Sequence, residues 1–105
     1  MTYTLRFLPE VEEDLINGYF WYEEKEKGLG EEFLLMFFDY ANEIIDNPLI
    51  YRKVYGEFRR CLLKRFPYAI YFCCTKDEII IFGILHCARS PISINSELQG
   101  RSDLM

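Results

Sequence analysis

Residues 3–8 alternate weakly between polar and apolar side chains and are rich in β-formers, so they predict a short first strand ended by Pro9. From Pro9 the period changes. Val11, Leu15, Gly18/Tyr19 and Tyr22 recur at three- and four-residue steps, and Glu10, Glu12, Glu13 and Asp14 load the first turn, where carboxylates favour the helix dipole. This predicts a helix with an acidic outer face that stops at Gly28-Leu29-Gly30. A second helix is predicted over residues 31–46, its stripe formed by Phe33, Phe37, Ala41, Ile44 and Ile45 and widened by Leu34, Leu35, Met36 and Phe38. That surface is broader than one sheet contact requires, so part of it is expected to face a partner. Asn47-Pro48 ends the helix. Residues 57–64, 68–75 and 78–86 then form three runs of branched and aromatic residues joined by short connections, a pattern that predicts an antiparallel meander. The run 3–8 joins it as a fourth strand. The expected order is β-α-α-β-β-β in one α+β domain over residues 1–91, with an antiparallel sheet and the helical hairpin packed on one face. Residues 92–105 read as a polar tail, a short helix or frayed.

Composition adds two constraints. At 105 residues, 50% hydrophobic and 17% aromatic, the chain holds one core of ordinary size and no second domain. Neither a secretory leader nor an apolar run of about 18 residues is present, which predicts a cytoplasmic protein without a membrane span. Cys61, Cys73, Cys74 and Cys87 lack the paired C-x2-C spacing of a zinc site and lie in strand-like runs. They read as buried reduced thiols, and no metal or cofactor is expected.

Charge changes the picture once it is divided by position. Residues 1–48 carry three bases against twelve carboxylates, a balance of −9, whereas residues 49–105 carry nine bases against five carboxylates, a balance of +4. The net −5 therefore weighs against indiscriminate nucleic-acid binding but leaves room for one oriented basic surface. Alternate strand residues share a face, so Arg60 and Lys64 fall with Leu62, while Arg59 and Arg65 fall with Cys61 and Leu63. A partly concave basic surface is expected on the face that the helices leave open. His86 ends the last strand three residues before Arg89 and is a candidate proton-transfer group or phosphate ligand.

Several local strings converge on one family. Asp14-Leu15 with Trp21-Tyr22-Glu23, Gly28-Leu29-Gly30 with Phe33, Asn47-Pro48 with Tyr51, the run from Arg59-Arg60-Cys61-Leu62-Leu63-Lys64-Arg65 through Phe66-Pro67-Tyr68-Ala69-Ile70-Tyr71-Phe72, and Ile84-Leu85-His86 followed by Arg89 and Pro91 together resemble the RelE/ParE superfamily of type II toxin–antitoxin toxins. The likeness is nearer to its ParE-like, or plasmid stabilisation, branch. It implies a toxin neutralised by a cognate antitoxin in a hetero-oligomer, with DNA gyrase as the first target to consider. The alternatives it carries are a RelE-like endoribonuclease acting on mRNA at the ribosome, and a degenerate relative without toxicity.

Cleavage through the 2′-hydroxyl needs a base, phosphate-holding cations and an acid. Arg60, Lys64, His86 and Arg89 would form that set, yet residues 90–105 contain no Tyr, His or Trp to complete it. Tyr68 and Tyr71 lie on opposite faces of one strand. Target binding is therefore placed ahead of catalysis, with Arg59, Arg60, Lys64, Arg65, His86 and Arg89 as the candidate contacts.

Overall fold

The computed structural model describes residues 3–103, so residues 1, 2, 104 and 105 of the expected domain and tail lie outside the described part. The chain runs β1 (Thr4–Phe7), α1 (Pro9–Lys25), α2 (Leu29–Asp46), a single 3-10 turn (Pro48–Ile50), β2 (Lys53–Tyr55), β3 (Phe58–Leu62), β4 (Tyr68–Cys74), β5 (Glu78–His86) and α3 (Pro91–Asp103). The α+β layout with a helical hairpin on a sheet is the expected one.

Local chemistry accounts for the hairpin. Pro9 opens α1 with a fixed φ and no orphaned N–H, and Glu10 and Glu12 sit in its first turn. Gly28 turns the chain in the left-handed region at φ 89°. The Glu23 carboxylate reaches back to accept the N–H groups of Gly28 and Gly30 at 3.0–3.1 Å, so an acid on α1 caps the start of α2. Phe33, Phe37, Ala41 and Ile44 then bury one side of α2 at four- and three-residue steps. Phe33, Tyr22, Phe66 and Tyr68 meet with ring centroids 4.8–6.0 Å apart and tie both helices to β4.

The sheet has five strands in the order β1-β5-β4-β3-β2. Two features differ from the sequence reading. Lys53–Tyr55 forms an additional three-residue edge strand, too short to show a period. β1 joins the sheet, but beside β5 and parallel to it, so the sheet is mixed rather than antiparallel throughout. Hydrophobic alternation carries no direction; a parallel neighbour needs only a long crossover, which both helices and three strands supply here.

Pairing registers assign the faces. Tyr68, Ile70 and Phe72 face the hairpin with their partners Cys61 and Arg59, while Ala69, Tyr71 and Arg60 face away. β5 holds one extra residue, Phe82, between the pairs Tyr71–Gly83 and Phe72–Ile81. Its ring leaves the helix side and packs on Phe58, centroids 4.9 Å apart.

Of the two forms expected for the polar tail, a short helix or a frayed end, the helix is the one observed. Residues beyond Ser90 form a 13-residue helix that packs on β5 and buries Ile94 and Leu98 in the common core. Ser90 caps it by accepting the Ser93 N–H at 3.1 Å, with Pro91 in the first helical position. The junction near residue 91 is a helix cap inside the packed structure. The face away from the hairpin is consequently not an open basic surface: Ala69, Tyr71, Phe82 and Leu85 are buried on it. Among the described residues no helix is long and apolar enough to cross a membrane.

Candidate functional site

β1 ends at Phe7, and the last bond it shares with β5 is from Leu8 N–H to the Ile81 carbonyl at 3.1 Å. Beyond that point the carbonyl of Phe82 and the N–H of Ile84 have lost their neighbouring strand. Side chains replace it. Asp14 on α1 accepts the Ile84 N–H at 3.1 Å, and Arg101 on α3 donates Nη1 to the Phe82 carbonyl at 2.8 Å. The two also join as a bidentate pair, Nη1 to Oδ2 at 2.6 Å and Nη2 to Oδ1 at 2.9 Å, with both side chains about nine-tenths buried. Gly83 makes this possible: a Cβ there would lie 2.7 Å from Arg101 Nη1 and 3.3 Å from Asp14 Oδ2.

Arg101 Nε extends the network to Glu97 at 3.2 Å, and Glu97 also accepts Arg89 Nη2 at 3.4 Å. Burial alone would raise the Glu97 pKa, but the hydrogen bonds and charges of Arg101 and then Arg89 outweigh it and hold the carboxyl below its ordinary value. Arg89 further donates Nε and Nη2 to Ser93 Oγ at 3.2 and 3.0 Å. Neither Arg101 nor Glu97 stood out in the sequence, because a polar tail gives no sign of what its charges will meet. Gly83 inside a run of branched residues was the available signal.

His86 and Arg89 line a cleft of about 290 Å³ between α1 and the end of β5, together with Asp14, Asn17, Trp21 and Tyr68. The His86 ring stands edge-on to Tyr68, centroids 5.0 Å apart. His86 Nδ1 accepts the Ala88 N–H at 2.9 Å, so in the neutral ring the proton is on Nε2, which is a donor. Burial, and secondarily the charge of Asp14, raises the pKa of Tyr68, which keeps its hydroxyl neutral at physiological pH. The cleft thus presents hydrogen-bond donors on an aromatic wall. Trp21, Asn17 and Tyr68 join His86 and Arg89 only through folding; they share no sequence motif with them.

Only two of the six candidate residues, His86 and Arg89, line the cleft. Arg59 lies on the hairpin side and donates Nη1 to the Tyr51 carbonyl at 2.6 Å. Arg65 is exposed and pairs with Glu32 of α2 at 2.7 Å. Arg60 faces away from the hairpin beside Tyr71, whose pKa burial raises and Arg60 partly restores. Lys64 is exposed in the loop after β3. His86 and Arg89 share the cleft at the C-terminal end of β5, next to the β3–β4 loop, whose Pro67 carbonyl accepts the Cys87 N–H at 2.7 Å.

All four thiols are free. Cys61 is buried; burial first and the charge of Glu43 next, opposed by a hydrogen bond with Tyr51, push it up to about 11. Cys87 is exposed, contrary to the expectation of burial, because it follows the end of β5.

No family model matches this sequence, and neither does any curated protein. Solved structures do match. One is a chain described as the chromosomal ParDE TA system from P. aeruginosa, with a TM-score of 0.70 at 18% identity, covering 81% of this chain and 96% of that one. The strand, helical hairpin and following sheet of this chain therefore make up a ParE-like fold.

Proposed function

We propose that this chain is a ParE-like toxin of a type II toxin–antitoxin system, neutralised by a cognate antitoxin and arresting growth by binding a cellular target, DNA gyrase in the first instance. The observation that carries this reading is the likeness in fold, over 81% of this chain, to a chain of a ParDE toxin–antitoxin system. Side-chain placement supports binding over cleavage. A ribonuclease site needs cations and proton-transfer groups converging on one phosphate. Here Arg59, Arg65 and Arg89 hold internal partners, Arg60 and Lys64 are not among the residues that line the His86 cleft, and His86 Nδ1 is occupied by Ala88 N–H. Arg60, Lys64 and the Nε2 edge of His86 are the contacts most available to a target.

Induced expression of the chain alone is expected to stop growth, and purified protein is expected to inhibit gyrase supercoiling. Arg60→Ala with Lys64→Ala should weaken inhibition while leaving the melting temperature in place. Supercoiling untouched over a wide concentration range, with A-site cuts in a toeprinting assay that vanish in His86→Ala, would replace this reading by the endoribonuclease one. Normal growth on expression would favour the non-toxic relative.

A further inference from the structure

The cleft beside His86 has an aromatic wall that the ion network does not use. Trp21, the one tryptophan of the chain, lines it while 54% exposed, and Lys25 Nζ lies 4.3 Å from the centroid of its ring. Tyr68 supplies the second aromatic group, fixed among Tyr22, Phe33 and His86. The open polar groups are mainly donors. Asp14 already accepts Arg101 Nη1, Arg101 Nη2 and the Ile84 N–H, whereas His86 Nε2 and Arg89 Nη1 have no partner among the described residues. Charge follows the same pattern. Asp14, Glu97, Arg89 and Arg101 cancel within their own network, and Lys25 leaves one positive charge at the wall.

We propose that this cleft binds a small aromatic acid, its ring on the Trp21–Tyr68 wall and its single carboxylate accepting hydrogen bonds from Arg89 Nη1 and His86 Nε2. An anion is indicated because the free groups donate, and a charged acceptor makes the stronger bond to a guanidinium. One negative charge matches the one uncancelled positive charge, whereas a phosphate dianion would exceed it on a chain already at net −5. Size agrees. A volume of about 290 Å³ lies at the lower edge of the roughly 300–1,000 Å³ of ligand pockets, which suits one ring with a short acid arm rather than a nucleotide. Offset or edge-on contact with the two aromatic side chains favours a ring over an aliphatic group of equal area. The same chemistry comes from a free aromatic acid or from an aromatic residue at the carboxyl end of a chain. Bound there, it would cover the Nε2 edge of His86 and withhold one proposed target contact; only this consequence rests on the toxin reading.

Trp21 is itself the reporter, because quenching of the chain's single indole reads occupancy of the wall. Titrated into the full chain, phenylacetate is expected to quench it with a dissociation constant of about 1 mM, and to bind at least tenfold tighter than phenylacetamide, which keeps the ring and loses the charge. Cyclohexylacetate, which keeps the charge and loses the aromatic ring, should bind several-fold more weakly. Asn17→Glu, at an exposed position of α1 that lines the cleft, should weaken phenylacetate at least tenfold while leaving phenylacetamide and the melting curve in place. Arg89→Gln should close the gap between acid and amide. The tripeptide Gly-Gly-Phe and its amide repeat the comparison for a chain end, and the tighter of the tripeptide and phenylacetate identifies the source. Equal binding of acid and amide, no quenching up to the solubility limit, or full affinity in Asn17→Glu would overturn the inference. So would tighter binding of phenyl phosphate or guanosine monophosphate, which would give the cleft to a phosphate ester. Growth arrest and supercoiling are scored separately, so failure here leaves the toxin reading intact and failure there leaves these titrations intact.

Discussion

Removing Arg101 tests the claim that two side chains stand in for a missing strand. In Arg101→Met the Asp14 carboxylate, about 11% exposed, keeps the Ile84 N–H but loses both guanidinium bonds, and the Phe82 carbonyl loses its donor. Leaving one partner of a buried pair costs about 3–5 kcal/mol. If α3 instead detaches to let water reach Asp14, the buried Ile94 and Leu98 become exposed, at about 1.5–3 kcal/mol each, so both routes give the same order. Against a total stability of about 5–15 kcal/mol this is severe, and near 4–8 °C per kcal/mol for a domain of this size it predicts a fall in Tm of roughly 12–40 °C. Urea titration followed by circular dichroism and a thermal scan supply the measurement. Adding Asp14→Leu should recover about 2 kcal/mol, because the charge left without a partner is then gone. A loss under about 1 kcal/mol in Arg101→Met, or a double variant no more stable than the single one, would refute the account.

Gly83→Ala should cost about 1–3 kcal/mol in the same titration, since its Cβ would displace the Arg101 guanidinium; stability equal to the parent would show that the close approach is unimportant. Glu97 has a lowered folded-state pKa, so its contribution is fully present above the unfolded carboxylate value near 4.3 and is lost as pH falls through the folded one; Glu97→Gln should flatten the acid limb of the stability–pH curve, and an unchanged limb would count against the Arg89–Glu97–Arg101 link. With a thiol reagent at pH 8, exposed Cys87 should react first and Cys61, buried and pushed up to about 11, only on unfolding; prompt labelling of Cys61 would contradict its placement.

The two helices were legible because Phe33, Phe37, Ala41 and Ile44 repeat with a helical period and Gly28 supplies the turn. The faces of β3 and β4 were legible too, since strict alternation puts Arg59 with Cys61 and Arg60 with Leu62. Whatever depends on partners distant in sequence was not. The parallel pairing of β1, the extra residue Phe82 and the docking of α3 are tertiary outcomes, and Asp14 read as one more solvated acid although it lies 87 positions from the arginine it holds. The candidate site suffered most. A list of cations cannot say which are already committed, and Arg59, Arg65 and Arg89 turn out to be tied to a carbonyl, a carboxylate and a helix of the same chain.

Because β1 pairs with β5 and the free end of β5 is closed by Arg101, the sheet cannot be completed until Arg101 has been made. The α1–α2 hairpin is synthesised long before, and at about 5–20 residues per second it waits several seconds for its own sheet. During that interval its inner stripe is uncovered, on the most acidic part of the chain. A protein that binds the nascent chain in that interval would thus meet the hairpin before the native molecule exists.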